Sequence, residues 1–510
     1  MAGLREALGP ALDRAQAGAP SLTTPRPERP IRQEPCVSDP ISLSLTELLA
    51  ALDTGRMTCE ELMVSCLDRI ERLNPKINAL VSLRPREVLI AEARAKDTER
   101  KQGAALGALH GVPIAIKDLS EAKGILCTYG SPLFHDYVPD FDDIQVERIR
   151  AAGAIIIGKT NTPEWGFGSH SYNPVFGVTR NPWDLSRSAG GSSGGAGAAL
   201  AARLVPIADG SDMMGSLRNP AAFNNVVGFR PSFGRIPTLP GRDAYLNQLA
   251  TLGPMGRSVE DVVTLLNVQS GFDARDPSSF ESGVLPLDRD IAAKGGRIGW
   301  LGDFGGHLPF EPGVLDLNEK ALDVFKRLGF AVEPVRIDFD MNRLWWAWTT
   351  LRSFFTAGSM RDYYEDPGRR GSLKPEILYE VRSGLRINAA DVYEASAVRT
   401  AWYQALSKVF ETHDYLIAPA AQVFPFDADI PWPREIAGQH MDTYHRWMEV
   451  VIGPSMAGLP VAALPAGFSP QGLPTGFQLI GQPRADAQVL SVAAAYEAAT
   501  DWLTQTPPLS

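Results

Sequence analysis

The chain has 510 residues, 44 % of them hydrophobic and 21 % charged, with a formal net charge of −10 at pH 7. This is the make-up of a globular protein with a large core, and the acidic balance argues against a nucleic-acid partner, which calls for a basic face. Four cysteines (Cys36, Cys59, Cys66, Cys127) show no metal or redox spacing and suit free thiols in a reducing cytoplasm.

Residues 1–38 are rich in Ala, Pro and Arg, and they predict an irregular N-terminal tail or arm with a short Leu-rich helix over 2–16. No apolar stretch follows the first basic residues, so no signal peptide is expected. Ser44-x-x-Glu47 is a capping box that opens a helix closed by Gly55. Thr58-x-x-Glu61 opens a second helix, with Leu62, Cys66, Ile70 and Leu73 on one face and Pro75 beyond its end. A third helix is expected over 85–101.

The middle of the chain alternates strands and helices. Buried strands are expected at Val112–Ile116, Ala154–Ile157, Leu204–Ile207, Arg297–Trp300, Leu416–Ala418, Val461–Leu464 and Gly476–Ile480. Helices are expected at 143–152, 195–203, 259–268, 315–328, 390–412 and 486–500. The order predicts an α/β fold, one large domain with a mixed twisted sheet covered by helices on both faces. Residues 338–366 are rich in aromatics, and 421–446 read as a long loop broken by prolines. Together, 338–446 is expected to be a substrate-pocket and lid insertion. The apolar region 450–468 is interrupted by Pro454, Pro460 and Pro465, so no membrane span is expected.

Three motifs bear on chemistry. Gly153-Ala-Ile-Ile-Ile-Gly158-Lys159-Thr160 fits the phosphate-loop pattern, but three isoleucines prefer a strand to a flexible anion cradle. A buried strand with Lys159 at its end is the expected outcome. Gly190-Gly-Ser192-Ser-Gly194 fits a nucleophile elbow, with His413, His440 and His445 as candidate bases. An elbow needs a strand leading into it, and 180–189 do not read as one.

The third motif combines Lys117 with Asn-Pro-Trp-Asp (181–184), Gly-Gly-Ser-Ser-Gly-Gly (190–195), Gly-Ser-x-Arg-x-Pro-Ala (215–221) and Val-Gly-Phe-Arg-Pro-Ser-Phe-Gly-Arg (227–235). Lys117 and Ser192 are 75 residues apart, Ser192 and Ser216 are 24 apart. Two serines in glycine-rich turns and a lysine ending an apolar strand can build a hydrolase without histidine. A buried lysine becomes a base by losing its charge, and a serine hydroxyl needs such a base.

These segments resemble the amidase signature family over 105–260, with a weaker likeness over 415–500. The resemblance implies an amidase domain over 39–505, with N-terminal helices at 39–104. It implies Ser216 as nucleophile, Ser192 as a bridging serine after a cis peptide, and Lys117 as base. The oxyanion donors would be the backbone N–H groups of Met213, Met214, Gly215 and Ser216, with Asp212, Arg218 and Ser193 as structural support. Met214 stands where the family has glycine. No metal or organic cofactor is implied, and His440-x4-His445 is too loose a metal spacing.

The resemblance further implies a small-molecule amide or carbamate substrate, no nucleic-acid or membrane partner, and a monomer or homodimer in the cytoplasm. Tyr129, Trp165, Met214, Trp345 and Trp348 are the candidate pocket residues. They favour a broad amidase or aryl acylamidase with carbamate-cleaving (urethanase) activity. The alternatives are the glutaminase subunit of a transfer-RNA amidotransferase, an α/β-hydrolase esterase using Ser192, and a catalytically silent scaffold.

Overall fold

The computed structural model describes residues 39–239, 241 and 243–509. The expected N-terminal arm, with its helix over 2–16, lies outside the described residues. Among the described residues the main sheet has eleven strands. In chain order they are β1 (Leu80–Val81), β2 (Pro113–Lys117), β3 (Ile155–Thr160), β4 (Ile207–Asp212), β5 (Val227–Arg230) and β6 (Thr251–Gly256). β7 (Gly296–Trp300), β8 (Phe330–Pro334), β9 (Tyr415–Pro419), β10 (Val461–Phe468) and β11 (Pro474–Gly481) complete the set. Across the sheet the order is β1-β3-β2-β4-β6-β5-β10-β11-β9-β7-β8.

The sheet is mixed. β3, β2 and β4 are mutually parallel, as are β9, β7 and β8. Between these groups, β4, β6, β5, β10, β11 and β9 pair antiparallel. β2 and β3 are buried along their whole length, so both faces are apolar, as an internal strand requires. Helices cover the sheet, and the apolar side chains between them form the core.

The helix signals hold in the structure. Ser44 and Thr58 each form a complete capping box, for Leu45–Asp53 and Cys59–Ile77. Pro75 sits inside the last turn of the second helix, which Asn78 ends in the left-handed conformation at φ 56°. The helices at Ile144–Ala151, Gly194–Ala201, Val259–Gln269, Val314–Arg327, Ala389–Phe410 and Asp486–Ala498 fall within two residues of expectation.

The strand expected at Leu204–Ile207 begins only at Ile207. Leu204 and Val205 are buried in the turn that leads into it. β1, β5, β6 and β8 carry no clear sequence signal. The aromatic stretch is one 25-residue helix, Met341–Glu365, capped by the Asp340 carboxylate on the Asn342 and Arg343 N–H groups. It packs against the helices Pro375–Gly384 and Ala389–Phe410. Residues 421–446 are irregular, apart from a two-residue ladder between Glu435–Ile436 and Gln439–His440. No described helix is long and apolar enough to cross a membrane.

Candidate active site

Parallel pairing of β2 with β4 sets the position of Lys117. Ile114 and Ala115 align with Ile207 and Ala208, which carries Lys117 alongside the C-terminal end of β4. The Lys117 N–H donates to Asp209 Oδ1 at 2.7 Å, and Gln145 holds the other Asp209 oxygen at 2.9 Å. The lysine is 1 % exposed. Its Nζ lies 2.7 Å from Ser192 Oγ, 2.9 Å from Ser193 Oγ and 3.0 Å from Ser211 Oγ. Burial lowers its pKa from the ordinary lysine range to about 7, although the Asp209 and Asp212 charges oppose the shift.

Ser192 and Ser193 lie in the turn before the helix Gly194–Ala201, and the Gly191–Ser192 peptide bond is cis. The turn has no room for larger residues. A Cβ on Gly191 would lie 2.7 Å from the His170 backbone nitrogen, and one on Gly190 (φ +74°) would lie 2.4 Å from Asn219 Oδ1.

Ser216 follows β4 in a second tight turn. The left-handed residue there is Gly215, at φ +80°. Met214 has no such conformation, so a side chain is tolerated where the resembling family has glycine. Beneath the turn lies a fully buried ion cluster. Arg218 grips Asp212 with two parallel bonds of 2.8 and 2.9 Å. Arg230 reaches the same carboxylate at 3.2 Å. Burial would raise the Asp212 pKa, but the two guanidinium groups outweigh it and hold the carboxyl below the usual range. The Asp212 carboxylate also accepts the Gly215 and Leu217 N–H groups.

That geometry corrects one expectation. The Gly215 N–H is engaged by Asp212 at 2.9 Å, because an aspartate at a turn folds back onto the backbone that follows. Met213, Met214 and Ser216 remain as the oxyanion donors.

Ser192 and Ser216 both open into a cavity of about 710 Å³. Its apolar walls include Trp165, Phe167, Met213, Phe354 and Phe355. Of the expected pocket residues, Trp165 lines the cavity and Tyr129 stacks behind it, with ring centroids 4.7 Å apart. Three others are displaced. Met214 is core, and Met213 takes the wall. Trp348 is fully buried and Trp345 packs against His445 and Arg446. Their helix turns Phe354 and Phe355 to the cavity instead. Residues 431–444 line a separate cavity of about 810 Å³ beside Tyr172, Lys374 and Glu376. Ser211 is missed by sequence reasoning, although it flanks Asp212 at the end of β4.

The two other motifs resolve differently. Lys159 is buried within β3 and its Nζ bonds the Ser120 carbonyl, as a strand residue. Asp184–Ser188 is a strand, contrary to expectation, but it pairs with Arg180–Asn181 off the main sheet. Ser192 therefore does follow a strand, yet its partner is a lysine. No histidine lines the catalytic cavity among the described residues. His413 meets Glu333, His445 meets Thr443 and Glu380, and His440 is exposed.

The Amidase family model matches residues 61–490. The chain belongs to the amidase family. An acylamidase from Rhodococcus erythropolis is 34 % identical over 473 residues, covering 91 % of this amidase and 97 % of that protein. The glutamyl-tRNA(Gln) amidotransferase GatA-type chain of Chloroflexus aurantiacus is 35 % identical over 497 residues, covering 92 % and 98 %. Among solved structures, a bacterial aryl acylamidase of the amidase signature family superposes with a TM-score of 0.83 at 30 % identity, covering 90 % of this amidase and 96 % of that chain.

Proposed function

We propose that this amidase hydrolyses small aryl or alkyl amides, and carbamates as further substrates, through Ser216, Ser192 and Lys117. The observation that carries the reading is the buried Lys117 amine, 2.7 Å from Ser192 Oγ, at the floor of a cavity that also exposes Ser216. A lysine whose pKa is about 7 is neutral in a large share of molecules at neutral pH and can take a proton.

In the first step Ser216 Oγ attacks the amide carbonyl carbon. Its proton passes to Ser192 Oγ as the Ser192 proton moves to Lys117 Nζ. The negative oxygen that forms is met by the N–H groups of Met213, Met214 and Ser216. The C–N bond then breaks, and the amine leaves with the proton returned from Lys117 through Ser192. Water enters by the same relay and cleaves the Ser216 ester. No hydrogen bond joins the Ser192 and Ser216 hydroxyls in the free protein, so the relay closes around bound substrate, as catalytic contacts commonly do. Asp212, Arg218 and Ser193 hold the two turns and do not react.

The aromatic walls and the likeness to acylamidases support aryl and alkyl groups as the substrate's flanks. The test is a panel of chromogenic anilides, alkyl amides, esters and carbamates on wild type and Ser216→Ala. Turnover of amides by the wild type alone supports the reading, and equal turnover by both proteins ends it. A second reading, the glutaminase component of an amidotransferase, is favoured by the 35 % identity to the Chloroflexus chain. Ammonia release from glutamine, with anilides untouched, would select it.

A further inference from the structure

Arg352 is a cation on the cavity wall that the relay does not use. It is 8 % exposed and projects from the same helix as Phe354 and Phe355. One side of its guanidinium is satisfied. Nε lies 2.8 Å from Glu380 Oε1, and Nη2 lies 2.8 Å from the Tyr444 hydroxyl. Glu380 is itself fixed by Tyr444 and Ser353, at 2.7 and 2.6 Å. Burial would weaken the charge, but Tyr444 and Glu380 reverse that and keep Arg352 protonated.

The other side is different. Nη1 reaches only the Met213 thioether, at 3.0 Å, and sulfur is a weak acceptor. The Phe167 ring covers the guanidinium at 5.0 Å. A buried charged donor without an oxygen partner costs free energy, and here that donor borders a ligand-sized space. Met213 also supplies backbone to the nucleophile's turn, so Arg352 stands one side chain from the reacting centre. Arg361, another arginine of the lining, is 59 % exposed and already paired with Glu365 at 2.8 Å.

We propose that Arg352 is a specificity residue that receives an acceptor oxygen of the substrate, a carboxylate or a second carbonyl, placed away from the scissile bond. This rests on the reading of Ser216 as the nucleophile of the same cavity. The preferred substrates are then amides with one apolar flank, for the phenylalanine wall, and one oxygen-bearing flank.

The test uses the full chain and three 4-nitroanilides of matched length, with acyl groups ending in a carboxylate, its methyl ester or a methyl group. The wild type is expected to favour an oxygen-bearing acyl group over the methyl one by about 10–100-fold in kcat/KM, the strength of a hydrogen bond to a charged group. Preference for the carboxylate over the ester identifies charge as the recognised feature, and equal preference identifies the carbonyl. Arg352→Gln should erase the preference, mainly through KM, and leave the methyl-ended substrate within about threefold. Arg352→Lys, which keeps the stem and charge but not the fork, is read the same way if the glutamine variant fails to fold. An equal loss on all three substrates would make Arg352 a purely structural tie and overturn the proposal. So would a wild type that cleaves all three alike. A wild type that cleaves none of them fails earlier, at the amidase reading itself.

Discussion

The two walls of the catalytic cavity are built on different principles. One wall is the pair of turns at Gly190–Ser193 and Met213–Ser216, whose polar groups are fixed by neighbours a few residues away or across one strand pair. The other is the helix Met341–Glu365, whose inward residues are decided by what packs against it. In the first, backbone geometry dictates residue type, and a Cβ at Gly190 or Gly191 has nowhere to go. In the second, many apolar residues would serve. Chemistry sits on the constrained wall and substrate choice on the permissive one.

The largest effects should come from the constrained wall. Ser216→Ala should lower amide turnover by about 10⁴-fold or more, as loss of a nucleophile does elsewhere, with an unchanged thermal midpoint. A variant retaining a tenth of wild-type activity would remove Ser216 from the mechanism.

Lys117→Ala should cost about 10²–10⁴-fold on amides, the range for a general base, and less on matched esters, whose leaving group needs less proton help. In the wild type, the base works only when neutral, so kcat/KM should rise with pH and level off above a midpoint near 7, the lowered pKa of Lys117. A pH–rate profile on both proteins checks this. An identical profile in the variant would show that another group titrates.

The permissive wall predicts a split between stability and binding. Trp348, fully buried, should cost about 3–5 kcal/mol of stability as Trp348→Ala, read by denaturant unfolding, with little change in the kinetics of whatever remains folded. Phe355→Ala should instead raise KM for aryl substrates by up to about tenfold and leave kcat within about threefold, since it removes uniform apolar contact. If Trp348→Ala raised KM and Phe355→Ala unfolded the chain, the two faces of the helix have been exchanged.

The smallest effect is expected from histidine. Replacing His413, His440 or His445 singly should leave turnover within about tenfold of wild type, because none borders the cavity. A loss of about 10³-fold at any one would restore a serine–histidine mechanism.

The same contrast explains which parts are legible in the sequence. Lys117 can be read because an apolar strand ending in lysine inside an α/β pattern is rare and costly. Gly190–Gly195 and Gly215 can be read because glycines in turns leave a fixed mark. The helices are legible from caps such as Ser44 and Thr58, within two residues for most. The wall of Met341–Glu365 is not. Trp345, Trp348, Phe354 and Phe355 are all large and apolar, and only the packing of the helices Pro375–Gly384 and Ala389–Phe410 decides which pair faces inward. The Gly215 N–H reads as free in the sequence because side-chain capture by Asp212 depends on a rotamer. Strands β5 and β6, rich in glycine and proline, lack the alternation that marks exposed strands.

Lys117 Nζ has three hydroxyl neighbours, and the arithmetic of its hydrogens has a consequence. As an ammonium it has three hydrogens, one for each of Ser192, Ser193 and Ser211. As an amine it has two hydrogens and one lone pair, so one serine must reverse its role and donate. Ser192, at 2.7 Å the nearest, is the one that does so when the site is poised to attack. When the lysine carries the proton, Ser192 accepts from it and turns its own hydrogen outward, toward the departing amine. A single proton on one buried nitrogen thus sets the direction in which the whole chain of hydroxyls points, and the site switches between base and acid with no residue changing place.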